Sequence, residues 1–107
     1  MTPQAAAETN ALIAELWQRH LPTLKERLDT LDRIAAAATT APLSEADRQQ
    51  AVSIAHKFAG SLGMYGYQRG TEIAMQLEAL YRTPPVSQPQ LLAPLTRDLR
   101  LSIFPNS

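Results

Sequence analysis

With 107 residues, ten basic and ten acidic side chains, the sequence has the length of one domain and no formal net charge. That balance argues against nucleic acid or an anionic membrane as a partner, since both select a basic face. Cysteine is absent, which excludes disulfides, thiol nucleophiles and Cys-ligated zinc and fits a reducing compartment. The longest apolar run, Ile34 to Ala38, is far short of the roughly 20 residues that span a bilayer. No basic residue precedes Arg19, so the start does not read as a signal peptide. Composition therefore points to a cytoplasmic, monomeric single domain over residues 1–107 with frayed termini.

Seventeen Ala and 15 Leu stand against seven Val plus Ile, a balance of helix formers over strand formers that predicts an all-α chain. Ile13, Leu16, Trp17, Leu21, Leu24, Leu28, Leu31, Ile34 and Ala38 recur at three- and four-residue spacing, the period of one long helical face. Pro22 lies inside that pattern and predicts a kink or short break near Arg19 to Leu21. The stretch Thr39 to Leu43, with Pro42, ends the helix. Ser44 ahead of Glu45 and Asp47 is an N-cap with acids in the first turn. The second helix it opens carries Ala51, Ile54, Ala55, Phe58 and Leu62 and stops between Gly63 and Gly66. A third helix holds Ile73, Ala74, Leu77, Leu80 and Tyr81 and closes at Pro84-Pro85. Ser87 and Gln90 have capping-box spacing ahead of a fourth helix with Leu91, Leu92, Leu95, Leu99 and Ile103, in which Pro94 is either a kink or the true start. Four helices with one apolar stripe each bury those stripes together as an antiparallel four-helix bundle.

On a helical wheel of the second helix, His56 points about 140° away from the core direction set by Ala51, Phe58 and Leu62. Gln49, Ser53, Gly60 and Gly63 share its face, with Val52 and Ala59 at the border. Most are small, and Gly60 costs about 1 kcal/mol relative to alanine within a helix, so the face reads as cleared for the approach of another surface. An exposed imidazole is a nucleophile and proton carrier near neutral pH, although many surface histidines have no such role. His20, on the apolar stripe between Trp17 and Leu24, reads instead as packed structure. Trp17, Phe58, Met64 and Tyr65 read as core, Gly66 and Gly70 as turn and close-packing glycines, and Arg97 and Arg100 beside Asp98 as a solvated face.

The run Ala55-His56-Lys57-Phe58-Ala59-Gly60-Ser61-Leu62-Gly63-Met64-Tyr65-Gly66, followed by Ala74 and Leu77-Glu78, resembles the histidine-containing phosphotransfer (HPt) domain family. The likeness rests on a histidine, a glycine four residues on, a serine next and a second glycine ten residues after the histidine, and it covers most of the chain from the first long helix onward. It implies a helical bundle whose exposed His56 accepts a phosphoryl group from a receiver-domain aspartate and passes it to another. Many members carry lysine three residues after the histidine; here that position is Ala59, and Lys57 directly follows His56. Together with the wheel, the resemblance gives a site of His56 with Lys57, Gly60, Ser53, Gln49, Ala59 and Gly63 around it. The second helix brings no acid cluster to His56, so the expected division of labour leaves Mg²⁺ on the partner receiver domain, with no cofactor held by this chain. The expected partners are response-regulator receiver domains and a hybrid histidine kinase.

Three other readings compete. A helical interaction module without phosphotransfer gains support from the shifted lysine. The dimerisation domain of a histidine kinase is disfavoured because Lys57, not an acid, follows His56 and no Gly-rich nucleotide loop is present. A metal enzyme is weaker still, with only two histidines placed on different helices.

Overall fold

The computed structural model describes residues 3–106, with side chains described from residue 8 onward. Four α-helices follow in order: α1 (Pro3–Thr40), α2 (Glu45–Met64), α3 (Gln68–Arg82) and α4 (Leu92–Ile103), with a 3-10 turn at Pro89–Leu91 leading into α4. No strand occurs among the described residues. Each helix packs on its neighbours in sequence and α4 closes back on α1, while the diagonal pairs do not meet. The short connections make successive helices antiparallel, so the expected four-helix bundle is present.

The predicted stripes form its core. Leu24, Leu28, Leu31, Ile34 and Ala35 from α1 meet Ala51, Ala55, Phe58 and Leu62 from α2, Ile73, Ala74, Leu77 and Tyr81 from α3, and Leu92, Leu99 and Ile103 from α4. Side chains of this kind contribute about 1.5–3 kcal/mol each when fully buried. At Gly70 α3 packs closely against both neighbouring helices. A Cβ there would stand 2.8 Å from Ser102 Oγ and 2.9 Å from Leu62 Cδ1, which accounts for glycine as a packing residue. Tyr81 is sealed inside with its hydroxyl unpartnered among the described residues, and burial pushes its phenol up to about 12. It stays protonated at physiological pH and carries no proton traffic.

Several expectations are corrected. Of the two outcomes expected at Pro22, the short break is absent, and α1 is one continuous helix: the missing amide is one bond among many in 38 residues, and Pro22 is exposed, so the carbonyl it leaves free is open to water. α1 also begins at Pro3, so the helix extends well ahead of the first expected stripe position; residues 1, 2 and 107, part of the expected fraying, lie outside the described residues. Thirty-eight residues make a rod of about 57 Å, close to the 55 Å long axis of the molecule, whereas the other helices are at most 20 residues long. The first part of α1 therefore overhangs, and Ile13 and Leu16 are exposed although they continue the stripe. Trp17 is the last clamp on that side, stacked on Tyr67 at 4.8 Å and tilted against Tyr65 at 4.6 Å. Ser87 and Gln90 form no capping box; Gln88 precedes the 3-10 turn without a side-chain cap. Pro94 sits at the third position of α4, where its missing N–H has no helical partner to lose, so it marks the start and not a kink. Arg100 is not merely solvated: it donates to Asp29 at 2.8 Å and Asp32 at 2.6 Å, bracing α4 against α1.

Candidate functional site

α2 is held at both ends by its own sequence. At the start Ser44 is extended (φ −62°, ψ 151°) and its hydroxyl accepts from the Asp47 amide at 3.1 Å, the expected cap. At the other end Gly66 adopts φ +82°. The Tyr67 amide donates to the Leu62 carbonyl at 3.0 Å and the Gly66 amide to Gly63 at 3.3 Å. This double closure requires a left-handed residue at Gly66, which explains the glycine there and turns the chain into α3 after three residues.

His56 stands in the middle of this helix with its side chain 74% exposed, on the face away from the core as the wheel indicated. Gln49, Ser53, Gly60 and Gly63 are exposed beside it, and Val52 and Ala59 are half-buried at the border. A Cβ on Gly60 would meet nothing within 4 Å. No packing inside the chain explains that glycine, so the clearance faces outward. Ser61 turns the other way, its Oγ buried and without a partner among the described residues.

The imidazole is exposed but not free. Its Nδ1 lies 3.2 Å and 3.3 Å from the two carboxylate oxygens of Glu78, which α3 contributes from across the helix pair. A carboxylate accepts only, so in the neutral ring Nδ1 carries the proton and the Nε2 lone pair is left for chemistry. Glu78 is buried, and Arg82, one turn later, donates to the same carboxylate. Arg48, Gln49, Val52, Ser53, His56, Glu78 and Arg82 together line one open groove. The absence of an acid on the α2 face is thus made good from α3.

Gln49, Val52, Ser53 and His56 were on the face the wheel gave; the places of Arg48, Glu78 and Arg82 in the groove are what the sequence reading missed. Glu78 falls within the apolar stripe Ala74, Leu77, Tyr81, and an acid on a buried stripe was the available signal; Arg82 follows it at helical spacing. Lys57, one residue on from His56, stands off the histidine face by about 100°. Lys57 is exposed and faces a second groove with Thr23, Glu26, Arg27, Thr30, Gln50 and Ser53, between α2 and α1, while the arginines occupy the histidine groove. His20 is half-buried as expected, in a cleft with Leu16, Arg19, Ser61, Met64 and Tyr65. Met64 is not core: it is 75% exposed, at the open edge of that same cleft between α1 and α2.

The profile of the Hpt domain matches residues 14–102 of this sequence. The chain belongs to the Hpt domain family. It is a histidine phosphotransfer domain, of a family whose members are phosphocarrier modules. Protein RcaC of Microchaete diplosiphon is 35% identical over 68 residues, which is 64% of this chain and 10% of RcaC. The Hpt chain thus spans about a tenth of the curated relative it matches. No solved structure matches it significantly. Among the described residues no helix is long and apolar enough to cross a membrane, and no three metal-ligating side chains converge.

Proposed function

We propose that His56 Nε2 is the phosphoacceptor and that the Hpt domain receives its phosphoryl group from, and returns it to, receiver-domain aspartates. The observation that carries this reading is the pairing of an exposed imidazole with a buried carboxylate that fixes its Nδ1 proton. In the forward step the Nε2 lone pair forms the N–P bond as the P–O bond of the acyl phosphate breaks, and the bonding pair leaves on the aspartate oxygen. No proton has to leave Nε2 first. The ring gains positive charge as the bond forms, and Glu78 at Nδ1 offsets it. Arg82, on the edge of the same groove, supplies positive charge on the side where phosphoryl oxygens enter. The divalent ion that neutralises those oxygens is assigned to the receiver partner, and Gly60 with Gly63 lets its shallow site close on the helix. The test is incubation with a phosphorylated receiver domain and detection of acid-labile, base-stable phosphate on this chain. No label from any of a panel of receivers favours the interaction module that has lost phosphotransfer.

Two smaller effects follow from placement. Gly60→Gln keeps the helix, and gains slightly from glycine's poor helix propensity, because nothing in the chain occupies that space. It is expected to slow transfer in a stopped-flow or gel assay while leaving melting unchanged or raised; unchanged kinetics would show that the clearance serves another purpose. Lys57→Ala is expected to slow transfer by only about two- to tenfold, with the deficit shrinking as salt rises, since the side chain is exposed and faces the neighbouring groove. A loss of several orders of magnitude would place Lys57 on the phosphoryl group itself.

A further inference from the structure

The end of α3 has an unusual difficulty. Helices commonly close by donating the amides of the two residues beyond the cap back to their last carbonyls. Here the cap is Thr83, in extended conformation (φ −106°, ψ 117°), and the next two residues are Pro84 and Pro85, which have no N–H to donate. The carbonyls of Tyr81 and Arg82 are taken instead by a side chain of α2: Arg48 Nη1 donates to Tyr81 O at 2.8 Å and to Arg82 O at 2.7 Å. The same guanidinium is fixed from its other edge. Its Nε donates to Glu45 Oε2 at 2.9 Å and its Nη2 also bonds that carboxylate, while Gln49 donates to Glu45 at 3.0 Å. Arg48 is only 12% exposed.

Arg48 lies two helical turns before His56 on α2, and what it holds is the last turn of α3, which carries Glu78, the partner of the imidazole, and Arg82, the partner of Glu78. We infer that Arg48 is a positioning residue for phosphotransfer: by capping α3 across the helix pair it sets the distance between Glu78 and His56. This rests on the reading of His56 as phosphoacceptor, but its first readout does not. A planar fork is needed, because Nη1 serves two carbonyls while the Nε–Nη2 edge serves Glu45; a lysine ammonium satisfies part of that set.

The experiment compares wild type with Arg48→Ala, Arg48→Lys, Glu78→Ala and the double variant Arg48→Ala/Glu78→Ala, all intact chains held well below their melting temperatures. Proton–nitrogen correlation spectra of the His56 ring read the tautomer directly. Wild type is expected to hold the proton on Nδ1; Arg48→Ala is expected to shift the population toward Nε2–H, the form that an unconstrained histidine side chain prefers, and Arg48→Lys to fall between them. The transfer rate should drop about tenfold in Arg48→Ala, with partial recovery in Arg48→Lys, and Arg48→Ala should cost little more once Glu78 is gone. An unchanged tautomer in folded Arg48→Ala overturns the inference. So does a full additional loss of rate in the Glu78→Ala background, which would mean that Arg48 acts on the partner or the phosphoryl group without passing through Glu78. If no variant, wild type included, is labelled while the tautomer still moves with Arg48, the positioning role stands and the phosphoacceptor reading falls.

Discussion

His56→Gln is expected to abolish labelling by a phosphorylated receiver domain and to leave the bundle intact. The chemistry half of that result follows from the loss of the ring nitrogen: a carboxamide has no lone pair of comparable basicity to form the N–P bond. The stability half follows from placement. The side chain is largely exposed, and its polar contact, Glu78, keeps Arg82 as a partner, so the change in unfolding free energy should stay within about 0.5–1 kcal/mol. The measurements are phosphate retained on the chain and thermal melting followed by circular dichroism. Equal labelling of the variant would remove His56 from the reaction, and a large drop in melting temperature would contradict the open placement.

Glu78→Ala should give the second-largest loss. A hydrogen bond to a charged group contributes about 1.5–3 kcal/mol, and if that contribution is made in the transition state the rate falls roughly 10- to 150-fold. Glu78→Gln keeps an acceptor for Nδ1–H and loses the charge, so it should lie between alanine and wild type. Folding should be little affected, because Arg82 is two-thirds exposed and hydrates when released. Rates measured with one receiver across the three variants decide the matter. An alanine variant as fast as wild type would show that Glu78 serves packing and does not act on the imidazole.

The parts of the fold that could be read from residues alone were those governed by local rules. Ser44 caps because a hydroxyl three residues ahead of a free amide satisfies it wherever it occurs, and Gly66 turns because only glycine takes φ +82° without strain. Wheel geometry was enough to put His56 outside and Phe58 inside. It failed where the answer depends on a neighbour. The exposure of Ile13 and Leu16 follows from the shorter length of the other three helices, which the α1 pattern does not contain. The Glu78 contact follows from how α3 is set against α2, and a wheel of α2 shows no residue of α3. Arg48 is harder again, since its partners are backbone carbonyls made available by a proline pair more than 30 positions away.

His56, Glu78 and the Arg48 that caps α3 all lie on one hairpin of two helices, α2 and α3, joined by the closure at Gly66 and making the most extensive interface in the molecule. Loops closed over so short a separation form early and cheaply. Cooperative opening in proteins tends to follow such supersecondary units. The histidine groove is therefore gained or lost as one piece, and amide exchange across α2 and α3 should report a single opening free energy, separate from that of the overhanging first turns of α1.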